Sequence, residues 1–127
     1  MNRLIARIQR HLTDDLLSPK WRELRTDDPL SGHCYIAAEA LWHLIGGKAS
    51  GYMPHVLTHA AWPEGLDPGE THWFLRKSRR ILDPTAGQFD GEIAYDKGRA
   101  CGFLSREPSR RAKTLMERVK CSGALPA

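Results

Sequence analysis

The segment Ser31-Gly32-His33-Cys34-Tyr35-Ile36-Ala37-Ala38-Glu39-Ala40-Leu41-Trp42 sets a thiol at the start of the most regular helical pattern in the chain. Apolar side chains at Ile36, Ala37, Ala40, Leu41, Leu44 and Ile45 recur at three- and four-residue spacing, and Gly46-Gly47 supplies the stop. Ser31 and Gly32 read as cap residues, so Cys34 falls among amide N–H groups that have no carbonyl partner. A thiolate gains there from those donors and from the helix dipole, which makes the sulfur a better nucleophile. A lone cysteine at a helix start is by itself no more than a small buried hydrophobe. What gives this one significance lies downstream.

With 127 residues, the chain reads as a single domain, residues 1–127, long enough to bury a core without staples. A hydrophobic content of 41%, a charged content of 27% and four tryptophans belong to a folded globular protein and argue against disorder. No apolar run approaches bilayer length. The stretch Met1 to Leu17 is interrupted by Arg3, Arg7, Arg10, Asp14 and Asp15, unlike a signal peptide. Cys34, Cys101 and Cys121 make an odd count with no CxxC pair, which fits free thiols in a reducing, cytoplasmic setting. The formal charge of +4 is modest, so neither a membrane nor a nucleic-acid partner is indicated.

Working outward, Leu4, Ile5, Ile8, Leu12 and Leu16 predict an amphipathic first helix over about 2–17, with Arg3, Arg7 and Arg10 on its solvated side. Ser18-Pro19 opens a short helix through Trp21 and Leu24 that Asp27-Asp28-Pro29 ends. Gly51 to Ala60 alternates as a strand, and Pro54 points to a sheet edge. Thr71–Arg76 and Arg80–Asp83 read as a hairpin around Lys77-Ser78-Arg79. Residues Ala86 to Phe103 carry no assignable pattern. A last helix over about 108–121 follows Ala112, Leu115, Met116 and Val119. The expected fold is α+β: the cysteine helix packed on a small antiparallel sheet, core 31–89, with flanking N- and C-terminal helices.

The hairpin carries the chemistry. An even loop puts His72 and Asp83 on one face, an odd loop puts them on opposite faces, and a two-residue loop at Lys77-Ser78 pairs them directly. Trp73, Leu75 and Leu82 then share the other face, ready to pack on a helix. A carboxylate beside His72 fixes its tautomer and stabilises the imidazolium, and the remaining ring nitrogen can take the Cys34 proton.

A cysteine opening a helix, then a histidine followed by an aromatic residue on a strand, then Asp83-Pro84-Thr85 ending the next strand resembles the core of the papain-like superfamily in its transglutaminase-like branch. The likeness runs from about Ser31 to Phe89. It implies Cys34 as nucleophile, His72 as base and Asp83 as orienting acid, on a sheet packed against the cysteine helix. Many relatives carry an oxyanion-hole glutamine shortly before the cysteine, whereas here no glutamine lies between Gln9 and Gln88. The hole is then expected from the Cys34 amide plus Ser31, His33 or a tryptophan indole.

Trp21, Tyr35, Trp73 and Arg76 are candidate substrate contacts, although aromatic residues more often belong to a core. His55 and His59 stand four apart, but Pro54, Val56 and Thr58 favour a strand over a zinc-binding helix, so no metal or other cofactor is expected. The reading is a cysteine-dependent hydrolase or acyl transferase that acts on an amide, isopeptide or related acyl bond of a protein or peptide-like substrate. The alternative is a non-catalytic binding module of the same fold, holding a protein or nucleic-acid partner with its basic last helix and exposed aromatics.

Overall fold

Residues 2–16, 33–89, 91–103 and 106–121 are described by the computed structural model. The helix α1 spans Asn2–Arg10 and α2 spans Cys34–Leu44. Helix α2 is buried almost all round: Ile36, Ala37, Ala38, Glu39, Ala40 and Leu41 are all inside, because other helices and the sheet cover different sides of it. Its cap is His33, without a side-chain cap bond, while Ser31 and Gly32 lie outside the described residues. It stops where Gly46 takes φ +114, a conformation that costs a side-chain-bearing residue dearly.

The α-helical part of α1 is shorter than its apolar stripe suggests. It ends at Arg10, and a 3₁₀ turn at Asp14–Leu16 carries Leu12 and Leu16 on into the core. Between them Thr13 donates to Asp15, the kind of local side-chain bond that competes with helical pairing. Arg7 is only 8% exposed, so it belongs to the packed side of α1 and not to a solvated face. The short helix expected from Ser18 to Leu24 lies outside the described residues.

The C-terminal helix, α3, spans Arg110–Cys121 and buries Ala112, Leu115 and Val119, one stripe at helical spacing. Its cap ties it to α2. The N–H and hydroxyl of Ser109 donate to the two carboxyl oxygens of the fully buried Glu39 at 2.8 and 2.7 Å. At the other end, Arg118 donates to Thr13 and pairs with Asp15 at 2.5 Å, joining α3 to the chain after α1.

Four antiparallel strands, β1 (Met53–Thr58), β2 (Thr71–Lys77), β3 (Arg80–Leu82) and β4 (Arg99–Ala100), lie in the order β3-β2-β1-β4. β1 is therefore internal, against the edge position that Pro54 suggested. The sheet accommodates the proline because its carbonyl accepts from Cys101 N–H at 3.0 Å on the β4 side, so its missing N–H also falls on that side, where β4 is only two residues long. The hairpin pairs Leu75 with Leu82 and Lys77 with Arg80. Its two-residue turn is Ser78-Arg79, one step later than Lys77-Ser78, with Ser78 at φ +54. Asp83 thus faces His72 diagonally instead of directly.

Parity separates the two sheet faces as expected. Trp73, Leu75 and Leu82 join the helical core with Ile8, Leu41, Leu115 and Val119. On the other face Phe74 and Leu57 pack with Trp62, Leu66, Phe89, Ile93 and Tyr95, which come from the loops between β1 and β2 and between β3 and β4. The Ala86–Phe103 stretch, unreadable by pattern, is two 3₁₀ turns, Ala86–Gln88 and Tyr95–Lys97, followed by β4.

Glu39 joins α2 to α3 at a fully buried position. Glu39→Ala strands the two Ser109 donors and is expected to cost about 2 to 4 kcal/mol, and Glu39→Gln, which keeps one acceptor, about half of that. Urea denaturation of the three chains checks the order.

Candidate active site

Helix α2 brings Cys34 to the start of β2, where its thiol donates to the Thr71 carbonyl at 3.5 Å. Cys34 is half-buried, and at the first position of an eleven-residue helix it sits among backbone donors free of intrahelical partners. The next residue on β2 is His72, which is fully buried. Its Nε2 lies 2.6 Å from Asp83 Oδ2, so Nδ1 is the ring nitrogen turned away from the carboxylate, and the Cys34 sulfur is close enough to the ring to influence its titration.

Asp83 is fixed from several sides. Its Oδ1 accepts from Thr85 N–H at 3.2 Å, a bond two residues along that follows from the Asp-Pro-Thr turn. Its Oδ2 also accepts from Tyr95 O–H at 2.8 Å. Burial, then the Asp83 charge, pushes the Tyr95 phenol above its usual range and keeps it a donor. Pro84 between them is held by Gln9 of α1, whose Nε2 donates to the Pro84 carbonyl at 2.8 Å. The ring of Phe89 meets His72 edge-on at 4.8 Å.

Burial alone would drive the imidazolium pKa down. The hydrogen bond from His72 to Asp83, the nearby Cys34 sulfur and the charges of both outweigh it and raise His72 from 6.5 to about 9. Because the folded chain binds this proton more tightly than the unfolded one, the stabilisation is fully present below about pH 6.5 and is lost as pH rises through about 9.

Gln88 completes the group, and no local sequence signal named it as a site residue. It closes the 3₁₀ turn Ala86–Gln88, and its Nε2 stands 3.3 Å from His72 Nδ1 and 3.3 Å from Thr85 Oγ1. Beside it opens a cleft of about 400 Å3 bounded by Trp62, Glu64, Phe89 and Glu92. Tyr95 was equally hidden, reaching Asp83 from twelve residues away across the unpatterned stretch.

The other candidates fall elsewhere. Tyr35 and Trp73 meet edge to face at 4.9 Å on the helical side of the sheet, and Phe103 packs on both. Arg76 lies at the turn end of β2, where its Nε donates to the Ser78 carbonyl and its guanidinium stands 3.8 Å from Asp96. His33 is buried and turns its Nε2 to the Thr13 carbonyl at 2.9 Å, away from an oxyanion role. Trp21 and Ser31 lie outside the described residues. His55 and His59 bond the carbonyls of Met53 and Leu66 respectively, and no three metal-binding side chains cluster among the described residues. No helix there is long and apolar enough to cross a membrane.

Comparison of the chain with protein-family models, with curated proteins and with solved structures finds no match in any of the three.

His72 should titrate in the folded protein with a midpoint near 9, followed through its ring signals by NMR. In Asp83→Asn the midpoint should fall to the ordinary histidine value of about 6.5 or lower, since burial then acts with less opposition. The stability gap between wild type and Asp83→Asn should be widest near pH 6 and shrink through about pH 9.

Proposed function

We propose that the protein is a cysteine-dependent hydrolase or acyl transferase in which Cys34, His72 and Asp83 act as nucleophile, base and orienting acid. The observation that carries this reading is the His72 ring itself, bound through Nε2 to a buried carboxylate at 2.6 Å, one residue along β2 from Thr71, whose carbonyl the Cys34 thiol reaches from a helix N-terminus at 3.5 Å. That is the arrangement a thiolate–imidazolium pair requires. The resemblance to the transglutaminase-like branch of the papain-like superfamily rests on the same three residues in the same chain order.

In the proposed reaction the Cys34 thiolate attacks the acyl carbon of an amide or isopeptide. The Sγ–C bond forms, the carbonyl electrons move to oxygen, and the Cys34 amide N–H at the start of α2 receives the developing charge. Gln88, whose amide nitrogen lies beside the same ring nitrogen, is the proposed second donor. As the tetrahedral species collapses, the C–N bond breaks and the imidazolium proton passes from Nδ1 to the leaving amine. The thioester then meets water or an amine. His72 removes a proton from the incoming group, its oxygen or nitrogen bonds to the acyl carbon, and Sγ leaves as thiolate, which restores the ion pair. A protein or peptide-like substrate suits this chemistry, and no cofactor takes part in any step.

A small activated ester tests the first half without knowledge of the natural substrate. Incubation with p-nitrophenyl acetate at neutral pH should place one acetyl group on Cys34, located by peptide mass spectrometry, ahead of Cys101 and Cys121. His72→Ala should slow that acylation by about a hundredfold or more, and Asp83→Asn by about tenfold or more. Equal labelling of all three cysteines, or a Cys34 rate indifferent to both substitutions, would leave the binding-module alternative in its place.

A further inference from the structure

A second cleft, of about 570 Å3, lies where the chain leaving α2 and entering β1 meets the chain leaving β4. None of Cys34, His72, Asp83 or Gln88 lines it. Its walls are Trp42, Tyr52, Met53, Pro54 and Phe103, with the Trp42 and Phe103 rings edge-on at 5.7 Å. Met53 is 55% exposed, the one large hydrophobic side chain left open to solvent among the described residues. The size is that of a small-molecule site.

Much of the lining's hydrogen-bonding capacity is already spent. The Trp42 indole is spent on the Tyr52 carbonyl at 2.8 Å, Tyr52 N–H on Ser50 Oγ, Gly51 N–H on the Lys48 carbonyl, and the Pro54 carbonyl on Cys101 N–H. Pro54 has no N–H, so an extended peptide finds no strand edge to join here. A ligand with several polar groups would lose their hydration without replacement. An apolar chain or ring loses nothing.

Charge fixes the remaining end of the ligand. Lys48 and Arg106 are exposed members of the lining, neither makes a salt bridge among the described residues, and no aspartate or glutamate lines the cleft. Lys77 adds a third cation close by, its Nζ 5.9 Å from the centre of the Tyr52 ring. We infer that this cleft binds a monomeric amphipathic carboxylate, its apolar part between Trp42, Met53 and Phe103 and its single anionic head between Lys48 and Arg106. The site is independent of the thiol chemistry.

Decanoate below its micelle concentration, with the alcohol and amine of the same chain length as controls, tests the assignment by Trp fluorescence and by amide shifts at Gly51 and Gly102. Decanoate should bind about tenfold tighter than the alcohol, and the amine should bind most weakly. The exposed double variant Lys48→Glu, Arg106→Glu should lose decanoate by about tenfold or more and keep the alcohol unchanged. The inference is overturned if the alcohol binds as tightly as decanoate, if the double variant binds decanoate normally, or if shifts arise away from the cleft. It is equally overturned if the chain binds anionic vesicles but not the monomeric carboxylate, or if sedimentation shows a second copy of the chain covering this face.

Discussion

A fully buried imidazole can hold a proton only if something repays the hydration it has lost, and here that partner is Asp83. Much of the chain is arranged around keeping that carboxylate in place. Thr85 and Tyr95 donate to its two oxygens, the proline between Asp83 and Thr85 stiffens the turn, and Gln9 reaches across from α1 to hold the Pro84 carbonyl. The long passage from β3 to β4 has little regular structure of its own. It is ordered by delivering Tyr95, Gln88 and Phe89 to this group.

The helical layer answers a different need. The cysteine helix must be immobile if its first turn is to aim a thiol, so α2 is enclosed by α1, α3 and the sheet, with a charged residue at its centre used as a joint. Glu39 would be a liability if unpaired. Bound to the cap of α3, it converts two helices into one unit and specifies where α3 begins. The aromatic cluster of Tyr35, Trp73, Phe103 and Trp42 extends that rigidity from the residue after the thiol to the apolar cleft at the other end of α2.

The sequence made the α+β layout, the cysteine helix and the division of the hairpin faces legible, because each follows from a periodicity that a local window contains. Trp73, Leu75 and Leu82 were assigned to the helical face by parity alone, and parity does not depend on the turn being located to the residue. The exact turn within Lys77-Ser78-Arg79 was not legible, since the stretch contains no glycine or asparagine to mark a positive φ, and Ser78 adopts it regardless. Pro54 misled because its rule concerns a missing donor, and the short β4 asks for none on that side. Gln88, Tyr95 and Gln9 were invisible for a plainer reason: each acts across a distance in sequence, through one hydrogen bond, from a segment with no pattern. Arg7 was read as surface and His33 as an oxyanion-hole donor, yet both are buried, and the His33 ring is bound to the Thr13 carbonyl twenty residues back.

The two-residue turn at Ser78-Arg79 also governs what lengths of this chain are viable. Insertion or deletion of one residue between β2 and β3 would rotate Asp83 to the helical face and bring Leu82 out beside His72, which separates base from acid without removing either. A change of two residues preserves the faces. Lineages descending from this chain can therefore change the length of the turn only in even steps, so that gaps of odd length at this point in an alignment would mark the chains in which the pairing has been given up.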